Sequence, residues 1–221
     1  MTKLLYEAEN YIEAYQIYNS LGNDYKDVDT ILKDKEMVYA ARELKLTPYR
    51  TSGSIVTFGR YEQDNNIANG LEEIEWIVLD YDENDHKALL LSRYGLDAKP
   101  FNEIIGNITW EKCSLRSWMN DEFLRSAFTA EEQAAILTTA VDNSASQGYS
   151  EWDTDGGNNT QDQIFLLSYA EANRYLDVTY IDINNTRARV APTAYAIASG
   201  AWTSSDNTDS IWAGRHYNTF A

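Results

Sequence analysis

Apolar positions recur at intervals of three and four between Ser114 and Phe128. Leu115, Trp118, Met119, Phe123 and Ala127 fall on one helical face, with Arg116, Ser117, Asn120 and Arg125 opposite. The spacing predicts an amphipathic helix turned toward a core. Ser114 stands where a hydroxyl can accept a bond from a first-turn N–H. Thr129 followed by Glu132 forms a capping box that opens a short second helix carrying Ala134, Ala135 and Ile136. From Leu137 the residues become β-branched (LTTAV) and predict a strand leaving that helix.

Read toward the N-terminus, Leu5, Ala8, Tyr11, Ile12, Ala14, Tyr15, Tyr18 and Leu21 trace a helix that stops at Gly22. Asp24 or Asp27 can cap a second helix through Ile31, Leu32, Met37, Val38, Ala41 and Leu44, which makes residues 1–47 a helical hairpin. Pro48 ends it, and the aperiodic residues after Pro48 place a boundary before a second domain at 53–221. Strands are expected at Ile55–Arg60, Ile74–Tyr81 and Ala88–Arg93. The second is apolar on both faces and therefore central, and the turn from Asp82 to His86 joins it to the third. DNNIANG, residues 64–70, reads as an exposed loop.

Residues 142–162 are rich in Asn, Ser, Asp and Gly, with Tyr149 and Trp152 their only aromatic residues. A loop of that length in a compact domain is commonly functional. Ile164–Leu167 reads as a buried strand, and Ser168 with Glu171 is another capping box, opening a helix through Ala172 and Tyr175. The fold class that follows is α+β.

Composition narrows the partners. At 43% hydrophobic and 13% aromatic the 221 residues have the make-up of a folded chain. The net charge of −17 opposes binding to a phosphate backbone or an anionic membrane. Cys113 is the single cysteine, so neither a disulfide framework nor a thiolate zinc cage is available. No apolar run reaches the roughly 20 residues of a membrane span, and MTKLLYEAEN lacks a signal-peptide core. A cytoplasmic location is expected, or an extracellular one if the chain is a piece of a longer exported precursor.

Asp153, Asp155, Asn158 and Asp162 set oxygen ligands at short spacing in a Gly-containing loop, the donor chemistry calcium takes, but no Glu stands at the closing position of a calcium-binding loop. A solvated polar loop is the competing reading. The expectation is no metal and no cofactor. His86 and His216 have no evident nucleophile or metal partner and read as surface residues.

Two resemblances sharpen this picture. Asn10, Tyr11, Ala14, Tyr18, Leu21 and Gly22 resemble one unit of a tetratricopeptide-type repeat, without a second copy to stack on. FGRYEQ (58–63), IEWIVLD (74–80), SLRSWMNDEFLRSAF (114–128), QAAIL (133–137), DNSASQGY (142–149), DQIFLLSYAEANRY (162–175) and RVAPTAYAIASGAW (189–202) together resemble a bacterial family of uncharacterised domains. That family has a C-type-lectin-like fold and is distantly similar to the formylglycine-generating, sulfatase-modifying enzymes. Relatives continue past the position of Trp202 into a tryptophan-rich strand, a Leu-Arg-Ser-Pro-Gly segment and a closing strand near Gly-Val-Arg-Pro-Ala, none of which occurs here. The resemblance therefore implies a C-terminally incomplete lectin-like domain. Its unpaired sheet edge would favour self-association or low stability.

A lectin-like fold would present Trp202, Trp212, Arg215 and Tyr217 on its binding face, beside Tyr149 and Trp152 of the long loop. These six are the candidate ligand-binding residues, with burial in the core as their alternative. The enzymes of the distant relationship use a cysteine pair, which a lone Cys113 cannot supply, so no catalytic residue is expected. The functional expectation is a non-catalytic module that binds a protein or glycan. The alternatives are an assembly role through the N-terminal hairpin and, third, a formylglycine-type oxidase.

Overall fold

The computed structural model describes residues 11–21, 28–148, 156–176 and 190–201. It divides into two compact units. One takes the described residues up to Val56 together with Ile77–Leu90, and the other takes Thr57–Trp76 and the described residues from Leu91 onward.

In the first unit, helices α1 (Tyr11–Leu21), α2 (Val28–Leu32) and α3 (Lys35–Leu46) follow one another. Ala14, Tyr18, Val28 and Met37 form their buried core, with Tyr15, Ile31 and Leu32 packed against it. The second helix of the expected hairpin is broken in two. Lys33 N–H donates to Thr30 O and Asp34 N–H to Ile31 O, a tight turn that ends α2, and Val38 N–H then donates to Asp34 O to start α3. A 3₁₀ turn at Thr47–Arg50 carries Pro48, and Arg50 pairs with Glu43 at 2.6 Å.

Strands β1 (Ile55–Tyr61), β2 (Glu72–Asp82) and β3 (Lys87–Ser92) form a three-stranded sheet in the order β1-β2-β3. The doubly apolar strand is the central one, as its pattern requires, with Ile74 and Val78 fully buried. His86 takes a left-handed conformation (φ 52°) in the β2–β3 turn.

The second unit is organised by a continuous helical run: α4 (Ser114–Trp118), a π-helical turn (Met119–Phe123) and α5 (Leu124–Ala127). Leu115, Met119, Phe123, Leu124 and Ala127 are buried along it, so the apolar stripe does face a core. Phe123, Leu124, Ala127 and Phe128 pack with Ile74 and Leu96, and Phe58, Tyr61, Trp76 and Trp118 close over them. The cap differs from expectation. Cys113 Sγ accepts from Arg116 N–H at 3.4 Å, while Ser114 Oγ accepts from Glu103 N–H at 2.9 Å.

Helix α6 (Ala130–Ala135) begins with the complete capping box: Glu132 N–H to Thr129 Oγ1, and Thr129 N–H to Glu132 Oε2. Glu132 Oε1 also accepts from Gly59 N–H at 3.1 Å. Gly59 sits at φ 73°, and a Cβ there would lie 2.5 Å from the Phe128 ring, so only glycine fits. Strands β4 (Thr139–Val141) and β5 (Thr160–Asp162) pair antiparallel, with Ala140 opposite Gln161.

Ile164–Leu167, expected as a strand, is irregular. Asn120 Oδ1 accepts from the N–H groups of Gln163 and Ile164, and its Nδ2 donates to Ile164 O. One amide side chain thus satisfies backbone groups that a neighbouring strand would otherwise pair. Ser168 and Glu171 cap α7 (Tyr169–Leu176) reciprocally, and Thr193 caps α8 (Ala194–Ala198). The chain mixes helices with antiparallel sheets and is α+β.

Candidate functional site

The six residues singled out for ligand binding, Tyr149, Trp152, Trp202, Trp212, Arg215 and Tyr217, lie outside the described residues, as do Asp153, Asp155 and His216. The described members of the acidic loop are committed to the fold. Asp162, whose side chain is fully buried, accepts from Arg116 Nε at 2.7 Å, Trp110 Nε1 at 2.9 Å and Thr160 Oγ1 at 2.6 Å. Asn158 Nδ2 donates to the Glu111 carboxylate at 3.1 Å. With three donors on its carboxylate, Asp162 holds β5 to α4 rather than facing a cation.

Two further buried groups with chemical potential are also structural. Tyr61 OH donates to Asp97 Oδ2 at 2.7 Å, and Ala98 N–H donates to Oδ1 of the same buried carboxylate. Burial, then the Asp97 carboxylate, pushes the Tyr61 phenol far above its ordinary range, so it stays a proton donor. Cys113 is fully buried, and burial raises its thiol above the ordinary value. A buried, protonated thiol is a packing group and a weak cap acceptor, not a nucleophile.

The loop between β1 and β2 brings together three carboxylates, of which only Asp64 falls in the segment 64–70 that reads as an exposed loop from sequence. Glu62 follows β1, Glu72 opens β2, and each offers a carboxylate oxygen that lies, with one from Asp64, within 4.8 Å of the others. Asn66 N–H is shared between Glu62 Oε1 and Asp64 Oδ1, at 2.8 Å each. Gln63 N–H donates to Glu72 Oε2 at 2.7 Å. Asn69 Nδ2 donates to Asp64 Oδ2 at 2.7 Å and is the main reason the Asp64 carboxyl is held below its ordinary value. Glu62 is 5% exposed, and its Oε2 is buried without a hydrogen-bond partner. The legible signal was the alternation Glu62, Asp64, Asn66 closed by Glu72. It was obscured because loops rich in Asn and Asp are ordinary turn sequence.

Beside that loop lies a groove of about 340 Å³ lined by Phe58, Arg60, Leu71, Glu73, Phe128 and Glu132. Exposed aliphatic side chains mark two loops of this unit. Ile67 is 88% exposed, and the adjacent pair Ile104–Ile105 is 78% and 101% exposed.

Residues 85–212, more than half of the chain, match the family described as a domain of unknown function, DUF6273. The chain belongs to the DUF6273 family. The DUF6273 match takes in β3, Ile104–Ile105, the helices from α4 to α8 and the Asp162 cluster, and it begins after the Glu62–Glu72 loop. No curated protein and no solved structure matches the chain.

Proposed function

We propose that this DUF6273 protein is a non-catalytic binding module whose ligand is a protein engaged by the loop bearing Ile104 and Ile105. The observation that carries this reading is the exposure of that pair, two β-branched side chains held in water. Such residues lose free energy exposed and regain it in a partner's pocket, at about 25 cal/mol per Å² of apolar surface covered. The exposed pair is aliphatic and has no ring face to stack on a sugar, so it suits an apolar pocket of a protein. A bilayer carrying anionic headgroups would be repelled by the net charge of −17. The partner therefore offers an apolar pocket with a basic rim.

The absence of chemistry from this reading is supported by the fate of the reactive groups: Cys113 is buried as a thiol, and Asp162 and Asp97 are taken up by donors of the fold. The lectin-like architecture and the tetratricopeptide-like character of the N-terminal helices belong to the same proposal. They rest on the order of the sequence blocks and on the pattern from Asn10 to Gly22.

A photocrosslinking side chain at position 104 tests the reading. The expected result is one discrete adduct, identified by mass spectrometry as a protein, competed by excess chain and not by the Ile104→Asp/Ile105→Asp chain. Binding to immobilised glycans that is lost in Trp202→Ala and Trp212→Ala would contradict it and favour a sugar ligand.

A further inference from the structure

Among the described residues, three buried side-chain polar atoms lack a hydrogen-bond partner: Thr109 Oγ1, Trp118 Nε1 and Glu62 Oε2. The first two are neutral. The third belongs to a carboxylate, and leaving such an oxygen dry and unpartnered is far more costly than leaving a hydroxyl or an indole N–H so. Glu62 is also the buried member of a group of three carboxylates, which share one small space with Asp64 and Glu72.

We propose that Glu62, Asp64 and Glu72 form a calcium site at the base of the β1–β2 loop. Up to three negative charges converge there. Two backbone N–H groups and the Asn69 amide donate to this trio, and none of them is a cation. A divalent cation held by one oxygen of each residue would supply the missing positive charge and offset the carboxylate whose Oε2 is buried without a partner. The donors are all oxygen, without His or Cys, which selects a hard cation over zinc or copper. Calcium binds oxygens at roughly 2.4 Å, so two of its ligands can stand up to about 4.8 Å apart. The carboxylate oxygens already lie within 4.8 Å of one another. Magnesium keeps most of its water, whereas Glu62 Oε2 is screened from solvent, and calcium exchanges water for protein oxygens more readily.

The bound ion would tie the residue after β1 to the first residue of β2 and fix the loop carrying Ile67. This site is independent of the protein-binding reading above, because it requires no partner.

Calorimetric titration of the calcium-stripped full chain with calcium chloride at neutral pH tests the proposal, paired with thermal unfolding in calcium and in chelator. Saturable one-site binding is expected, with a higher Tm in calcium. Glu62→Gln is expected to weaken binding about tenfold or more. Glu72→Gln, at a half-exposed position, should weaken it in the same sense and guards against a folding defect at Glu62. Three results would overturn the assignment: a flat titration with unchanged Tm, as expected if a shared proton relieves the charges instead; tighter binding of magnesium than of calcium; or binding retained in Glu62→Gln and Glu72→Gln but lost in Asp153→Asn/Asp155→Asn.

Discussion

Arg116 and Asn120 carry the clearest lesson at the scale of single residues. Both fall on the polar face of the helix by periodicity, yet Arg116 pairs with buried Asp162 and Asn120 binds the backbone at Gln163 and Ile164. Periodicity sorts side chains by affinity for water and cannot see a partner 43 or 46 residues away that makes a polar group welcome inside. Asp162→Ala would leave the Arg116 guanidinium without its counter-charge and is expected to lower unfolding free energy by about 3–5 kcal/mol in urea denaturation. A loss under about 1 kcal/mol would show that the pair is solvated and replaceable. Cys113 gives a second expectation. Its folded-state pKa is raised, so the stability it contributes is complete below the unfolded thiol value and is lost as pH rises through the folded one. Alkylation at pH 8 should be slow in the native chain and fast in denaturant. Equal rates would mean that the thiol is open to solvent.

Among the elements, those defined by local rules were legible. The three strands fall within two residues of their expected limits at each end, and the boxes at Thr129–Glu132 and Ser168–Glu171 close as written. The π turn at Met119–Phe123 was not legible, because an extra residue in one turn leaves the Leu115, Met119, Phe123 spacing apolar either way. Glu132 ties two elements together through Thr129 and Gly59, and the Thr129 N–H is the main cause of its lowered pKa. A depressed carboxylate stabilises above its unfolded value, near 4.5, and that contribution disappears as pH falls through the lower folded value. Acid titration followed by circular dichroism should therefore show a smaller loss of stability below pH 4.5 in Glu132→Gln than in the native chain. An identical acid profile would contradict a role for the ionised group. Thr129→Ala should cost about 1 kcal/mol through the loss of the cap.

For the whole molecule, charge decides more than shape. Strands β1 and β3 are the edges of the three-stranded sheet, and edge pairing between copies must bring together chains of charge −17. If copies associate, light scattering should show a mass that rises with salt, since the screening length falls from about 30 Å at 0.01 M to about 10 Å at 0.1 M. A mass that falls with salt would mean that ionic contacts join them. Binding a basic-rimmed partner should respond the opposite way and weaken as salt increases. The α+β architecture could be read from the sequence, but the carboxylate trio and the Ile104–Ile105 pair needed a structure, because exposure and convergence are properties of the folded loop. The most direct test of the binding reading is the affinity of the identified crosslinked partner for the native chain and for Ile104→Asp/Ile105→Asp. A loss of about 100-fold or more in the variant, at unchanged Tm, is the expected result for removing a central apolar anchor. Equal affinity in the two chains would contradict the account.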